Sequence, residues 1–404
     1  MLDSERMAER FAGLPWWPTA AIERVEIVAL WVKPGRHFNV HYKVFDHDGQ
    51  ARPISGFLLE PERVDRILRR ASRRHSDKLA ARGACPHCGT ARLGREILVQ
   101  AFPLDYRLAT LPDCLHPKAV RRASGGTIAA QQCEAVAYRP GMRCQIRIEE
   151  AGGSCSYGKV AVERRGAGRG YHLHEIAYRA LRQRGSFLRV APPRAYLPAL
   201  ELAVVGGVPG LSYHELLRRG QVTGDATELV ARAAYELHRL DVRLTDRVYS
   251  VSEEIALVRS WVDLAGALYP DVASDLERWY ASLLVDPPAD CSARAVLHRD
   301  FYDKQVLLDG ETTVLLDLDT ICAGDAELDV GNFRAHYYLR GLQWERSDRF
   351  APLEAEFVRA YPGLLSEQRM LWYRSVALLR LACGYLLRPR WRHLVPTMIA
   401  EAGP

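Results

Sequence analysis

Hydrophobic and polar positions change their period along this chain. Over Ala135–Ile148 (AVAYRPGMRCQIRI) they alternate on both sides of a Pro-Gly pair, which predicts two strands about a turn. Tyr157–Glu163 (YGKVAVE) alternates again and predicts a third strand. Tyr171–Arg182 switches to helical spacing, and two short strands follow near Arg194–Tyr196 and Glu201–Val205. From Ser212 onward the helical period dominates. It predicts helices over Ala226–Leu240, Glu253–Leu268, Asp275–Leu284, a stretch from about Asp329, Phe350–Tyr361 and Glu367–Leu387. One β-rich island, Ala295–Asp319, interrupts this run. The pattern implies an α+β protein whose strands come first and whose helices come last.

An earlier stretch echoes the first hairpin. Ala29–Val44 (ALWVKPGRHFNVHYKV) is similar to Ala135–Glu150, with Lys33-Pro34-Gly35 matching Arg139-Pro140-Gly141. With a small gap, Gly56-Phe57 falls where the later copy has Gly158-Lys159. Two readings stand: a partial duplication of a small β-lobe, or the chance likeness of two hairpins. Arg121–Gly126 (RRASGG) reads as a linker and Gly206-Gly207-Val208-Pro209-Gly210 as a hinge. The expected division is an N-terminal extension or cap over 1–128, a β-rich lobe over 129–208 and a helical lobe over 209–404.

Composition narrows the class. At 404 residues, with 48% hydrophobic and 26% charged residues, the chain can bury more than one core. The net charge of +6 is spread without a long basic run, which argues against nucleic acid as partner. The N-terminus (MLDSERMAERFAGLPWW) lacks the apolar stretch of a signal peptide, and no run reaches the roughly 18 apolar residues of a membrane span. A cytoplasmic protein without a membrane partner is expected. The nine cysteines are then reduced thiols. The CPHCG knuckle at Cys85 and Cys88 resembles half a zinc ribbon, but no second CxxC supplies the remaining ligands.

The densest chemistry lies in Val296–Asp319 (VLHRDFYDKQVLLDGETTVLLDLD). Two apolar strands flank Asp309-Gly310, so the polar groups before the first and after the second meet at one end. That end holds Asp300, Gln305, Asp317 and Asp319. Carboxylate and amide oxygens of this kind suit Mg2+ on nucleotide phosphates, with a further carboxylate free to accept a hydroxyl proton.

His298, Asp300, Gln305 and, after a strand, Asp317 together resemble the HxDxxxxN…D pattern of eukaryotic-like kinases and aminoglycoside phosphotransferases. Gly324–Asp329 (GDAELD) resembles the GDPxxDLA segment of the aminoglycoside-phosphotransferase and choline-kinase superfamily, with Ala326 in place of Pro. The resemblance implies a bilobal protein-kinase-like fold, ATP and Mg2+ as cofactors, Asp300 as catalytic base and Asp317 as the principal metal ligand. Gln305 stands where the family has Asn, offering the same oxygen on a longer arm. Asp319 is a further metal or substrate contact. Lys159, in mid-strand, is the expected partner of the α- and β-phosphates, with Glu175 on the next helix as its ion-pair partner. Arg139 and Arg143 flank the loop expected over the phosphates.

Only Leu318–Gly324 separates Asp317 from Asp325, and no APE follows, which leaves no peptide-docking segment. A small alcohol is the implied acceptor. Between Tyr337 and Pro404 ten Arg face six acids, which disfavours a polycationic acceptor. The aromatics Tyr337, Tyr338, Trp344, Trp372, Tyr373 and Trp391 offer either platforms for sugar rings or a helical core. A nucleotide-binding pseudokinase and an antibiotic-inactivating enzyme are the competing functions.

Overall fold

The computed structural model describes residues 1–14, 16–17, 22–33, 37–71, 89–162, 166–290 and 294–403. Cys85, Cys88, Pro34 and Gly35 therefore lie outside the described residues. The fold is α+β, with sheets in the N-terminal part and helices in the C-terminal part. It divides into two compact units. The first holds Met1–Gly168 with Ala195–Val204 and Leu387–Pro389; the second holds Arg169–Arg194, Val205–Leu386 and Arg390–Pro404.

In the first unit, helix α1 (Ser4–Ala12) precedes the meander β1 (Ile22–Lys33), β2 (His37–Asp46) and β3 (Ala51–Leu58). Helix α2 (Pro61–Ala71) and the hairpin β4 (Thr90–Leu93) and β5 (Ile97–Ala101) complete a five-stranded sheet of order β1-β2-β3-β5-β4. Two short helices, α3 (Leu111–Cys114) and α4 (Pro117–Ala123), lead on. Arg121–Ala123, expected as linker, are instead the last turn of α4, whose helix starts at Pro117. The chain turns only at Gly125 and Gly126, both with positive φ.

A second meander follows: β6 (Ala130–Arg139), β7 (Arg143–Glu150) and β8 (Cys155–Ala161). After helix α5 (Ala167–Gln183) and strand β9 (Leu188–Val190) come β10 (Pro193–Leu197) and β11 (Leu202–Gly206). The second sheet has the order β10-β11-β8-β7-β6, which repeats the strand order of the first. The registers agree as well. Lys33 pairs with His37 as Arg139 pairs with Arg143, and Asn39 pairs with Phe57 as Gln145 pairs with Lys159. Phe57 thus occupies in the first sheet the register position of Lys159 in the second.

The second unit continues with β12 (Leu211–Ser212) and helices α6 (Tyr213–Arg219), α7 (Gly224–His238), α8 (Val251–Leu268) and α9 (Ala273–Leu283). Thr223 caps α7, and a Ser250–Glu253 capping box starts α8, so both begin where a side-chain oxygen satisfies an amide. The β-rich island forms β13 (Ala295–Leu297), β14 (Val306–Asp309), β15 (Thr312–Leu315) and β16 (Cys322–Gly324). Helices α10 (Ala326–Trp344), α11 (Ser347–Ala360), α12 (Glu367–Leu386) and α13 (Val395–Ala402) follow. Helix α12 buries Met370, Tyr373, Ala377 and Leu378 in an apolar stripe, which holds it against its neighbours. Tyr337, Trp372 and Tyr373 are buried in the two large cores, so these aromatics pack the helices and offer no platform to a sugar ring. No helix among the described residues is long and apolar enough to cross a membrane.

Candidate active site

Strand β13 pairs antiparallel with β16, Ala295 opposite Gly324 and Leu297 opposite Cys322. Every residue of both strands is buried, as a continuous apolar run requires. The segment leaving β13 is therefore rooted in the core before it reaches Asp300.

Asp329, on the first turn of α10 and 0% exposed, fixes that segment. Its two carboxylate oxygens accept from the backbone N–H groups of His298 and Arg299, both at 2.7 Å. His238 Nε2 lies 3.2 Å from the same carboxylate, and its Nδ1 is 2.8 Å from the Tyr361 hydroxyl. Arg299 has φ +68, a left-handed backbone that a long side chain rarely adopts, and the bidentate grip of Asp329 offsets that strain. Its guanidinium lies 3.8 Å over the Tyr249 ring. On the other side of Asp300, Phe301 is 1% exposed and packs its ring tilted against Phe333, centroids 4.7 Å apart, and Asn332 Nδ2 donates to its carbonyl at 2.8 Å. Asp300 itself is half-buried. Its backbone is thus tied down one residue before and one residue after.

The hairpin of β14 and β15 brings the next groups to the same end. Val306 pairs with Leu315, and beyond that pair the Leu316 N–H donates to the Gln305 carbonyl at 2.9 Å. Gln305 is therefore directly across the hairpin from the residue before Asp317. His298 Nε2 lies 2.8 Å from the Leu316 carbonyl. A carbonyl only accepts, so Nε2 carries the proton and the ring ties Asp300's segment to Asp317's. Asp317 has φ +57, which turns the chain sharply out of β15 into the single turn Leu318–Thr320. Thr320 closes the frame by donating from Oγ1 to the His298 carbonyl at 2.8 Å.

Asp319 lies on that turn, and α5 passes close to it. A Cβ on Gly170 would stand 3.0 Å from the Asp319 Cγ and Oδ1, so a side chain there would displace the carboxylate. Glu175, further along α5, accepts from Arg179 at 2.7 Å. Lys159, Arg139 and Arg143 belong to the second sheet of the first unit. Lys159 is half-buried in mid-strand opposite Gln145, while Arg139 and Arg143 pair across the turn Pro140–Met142. The second unit thus brings together Asp300, Gln305, Asp317 and Asp319, and the first unit carries the three basic groups.

The oxygen donors of Gln305 and Asp317 suit a hard cation such as Mg2+. Among the described residues no group of three or more His, Cys, Asp or Glu would hold a metal unaided. A Mg2+ held by Gln305 and Asp317 would complete its shell with phosphate and water, which is its usual habit.

Residues 169–366 match the family model of the phosphotransferase enzyme family. Comparison with curated proteins returns no match. Among solved structures, a thermostable mutant of the aminoglycoside phosphotransferase APH(4)-Ia, in ternary complex with AMP-PNP and hygromycin B, superposes with TM-score 0.50 and 15% identity. The match covers 71% of this chain and 96% of that one, and it shows that the two share a fold. An aminoglycoside-3'-phosphotransferase of type VIII is 24% identical, with TM-score 0.41 over 60% of this chain and 92% of its own. A macrolide 2'-phosphotransferase from Brachybacterium faecium is 14% identical, with TM-score 0.45 over 70% and 98%.

The segment that matches this family model also holds a buried ionic cluster that sequence reasoning missed. Asp303, between Asp300 and Gln305 and almost fully buried, accepts from Arg340 Nη2 and Nε, both at 3.0 Å, and contacts His214 Nδ1. Burial opposes its ionisation, but the attraction of Arg340 and the hydrogen bonds from His214 and Arg340 outweigh that and hold its carboxyl well below the usual range. Asp303→Asn leaves the buried Arg340 without its counter-ion and is expected to cost about 3–5 kcal/mol of stability, measured by denaturant unfolding near neutral pH. The sign with pH follows. The folded carboxyl titrates lower than the unfolded one, at about 3.9. The Asp303 contribution is therefore complete above that value and is lost as pH falls below it. The wild-type advantage over Asp303→Asn should accordingly shrink in acid; an advantage that grew there would contradict the assignment.

Proposed function

We propose that this chain transfers the γ-phosphoryl group of ATP to a hydroxyl of a small molecule, with Mg2+ as cofactor. The observation that carries this reading is the frame around Asp300. Asp329 and Asn332 grip the backbone on either side of it, and His298 ties that segment to the hairpin end that bears Gln305 and Asp317. Phosphoryl transfer asks the protein for little more than positioning and charge.

In this mechanism Asp300 accepts the proton of the acceptor hydroxyl as its oxygen attacks the γ-phosphorus and the bond to the β,γ-bridging oxygen breaks. Gln305 and Asp317 would hold the metal, with Asp319 as a further acidic group on the next turn. Bound Mg2+ would neutralise charge on the phosphate oxygens. Lys159 contacts the α- and β-phosphates, with Arg139 and Arg143 at the adjacent turn and Glu175 as the acidic group of the following helix.

The acceptor on this reading is a sugar, an amino sugar or a sugar-containing metabolite. The basic balance of the last helices supports a neutral or weakly charged compound over a polycation. Hygromycin B and macrolides, the ligands and substrates in the names of the compared enzymes, belong in the same acceptor panel.

The test is ADP release by the full chain with ATP or GTP and Mg2+ against that panel, alongside titration with AMP-PNP. Turnover with one acceptor class supports the proposal and names the substrate. Mg2+-dependent nucleotide binding with no turnover over a broad panel would favour a pseudokinase. Absence of nucleotide binding would refute the kinase reading.

A further inference from the structure

The turn Pro140–Met142 between β6 and β7 is gripped from outside its own sheet. Asn39, on β2 of the first sheet, donates from Nδ2 to the Pro140 carbonyl at 2.9 Å. The Gly141 N–H donates to Asp105 Oδ2 at 2.6 Å. The Tyr138 hydroxyl donates to the same oxygen at 2.9 Å, and Asp105 Oδ1 accepts the backbone N–H groups of Arg107 and Leu108 at 2.8 and 3.3 Å. Asp105 is 4% exposed, so these bonds are made away from water, where they are strongest. All of these residues belong to one compact unit.

Sterics complete the grip. Gly141 has φ +65, and a Cβ there would stand 3.0 Å from Asn39 Nδ2 and 3.3 Å from both Phe57 Cε1 and Arg107 Cδ. Phe57 holds the register position that Lys159 holds in the second sheet. The first sheet thus sets an aromatic ring against the turn at the place where the second sheet bears its lysine. His41 and Phe102 add ring contacts to Tyr138 at 5.6 and 5.0 Å. The Met142 N–H, for its part, donates to the Arg139 carbonyl at 3.0 Å.

We propose that Asp105 and Asn39 are positioning residues for the nucleotide. They hold the 139–143 turn in one conformation, and phosphate recognition there passes through the Arg139 and Arg143 side chains instead of the turn's amides. The inference rests on the kinase reading above, with this turn beside the phosphates. Its logic is preorganisation. A turn already ordered costs no further entropy when nucleotide binds, and a turn whose Gly141 and Met142 amides are committed to Asp105 and Arg139 cannot offer them to phosphate. The first sheet would then serve the reaction by fixing the loop, without touching substrate.

The experiment uses the full chain as wild type, Asn39→Ala, Asp105→Ala and Asp105→Asn. The readouts are hydrogen exchange at the Gly141 amide, affinity for AMP-PNP with Mg2+, and KM for ATP against kcat with the acceptor that the panel identifies. Asn39→Ala removes one hydrogen bond and keeps the rest of the fold. It should speed exchange at Gly141 and weaken AMP-PNP by roughly 3- to 10-fold. KM for ATP should rise in proportion while kcat and thermal midpoint stay nearly constant. Asp105→Ala should do more, and Asp105→Asn, which keeps an acceptor for the Gly141 N–H, should recover part of the loss. Should Asp105→Ala fail to fold, Asn39→Ala decides alone. Faster exchange with unchanged AMP-PNP affinity would overturn the proposal, leaving the contact purely structural. Unchanged exchange would overturn it too. Failure of the wild type itself to bind AMP-PNP would refute the kinase reading, and this inference with it, before any variant is compared.

Discussion

Asp300→Asn should lower kcat by on the order of 10²–10⁴-fold, the range that a positioned general base contributes. Asn matches the shape of Asp but cannot take the acceptor proton. The supports of the loop lie elsewhere: Asp329 holds the amides of residues 298 and 299, and Asn332 holds the carbonyl of Phe301. The variant should therefore fold normally, keep its thermal midpoint and bind AMP-PNP as the wild type does. Single-turnover kinetics would separate the chemical step from product release. A kcat within a few-fold of wild type, with the loop intact, would remove Asp300 from the role of base.

Asp317→Asn should have a comparable effect through charge. A metal on the phosphates supplies several kcal/mol of stabilisation to the transition state. Losing its anionic ligand should cost on the order of 10³-fold in kcat, since each factor of ten is about 1.4 kcal/mol. Asn is the right replacement for a second reason. Asp317 has φ +57, and Asn tolerates that left-handed backbone better than Ala does. An Ala variant would mix backbone strain with loss of the ligand. The diagnostic signature is the Mg2+ dependence. The concentration of Mg2+ that half-saturates activity should rise sharply, and excess metal should recover part of the rate. An unchanged Mg2+ dependence would exclude Asp317 as a ligand.

A milder effect should appear in acid. His41 packs against Tyr138, and burial, with the nearby Lys43 charge, pushes its pKa down to about 4. The folded state keeps this imidazole neutral while the unfolded chain protonates it near 6.5, so stability should fall as pH drops between those values. Replacing His41 with Gln should flatten that part of the stability profile, as followed by thermal melts across the range. An equally steep profile would assign the acid sensitivity elsewhere.

Local pattern made most of the elements legible. The hairpin about Asp309-Gly310 was readable because two apolar runs flank a turn pair, and it occurs as β14 and β15. The same holds for the hairpin about Pro140-Gly141 and for helices α5, α7, α8 and α12, whose apolar spacing is regular. Order and spacing within Val296–Asp319 were enough to gather Asp300, Gln305 and Asp317, because each is bonded into the framework through a neighbouring backbone group. What the sequence could not show were pairings across long separations. Asp303 meets Arg340, and Asp105 meets Gly141, through contacts between elements that no periodicity records. Composition left the aromatics open. Tyr337, Trp372 and Tyr373 look the same on paper whether they face a ligand or a core, and packing assigns them to the core. The likeness of Ala29–Val44 to Ala135–Glu150 reaches further than the residues suggest, since the two sheets share strand order and hairpin register while Phe57 replaces the lysine.

The central claim is that this chain moves a phosphoryl group to a hydroxyl with Asp300 as base. The most direct test incubates wild type and Asp300→Asn with ATP, Mg2+ and the acceptor panel, and examines the acceptors by mass spectrometry. One class of acceptor should carry a single added phosphoryl group with the wild type and almost none with the variant. Equal phosphorylation by both proteins, or an unmodified panel with a wild type that does not bind nucleotide, would contradict the claim.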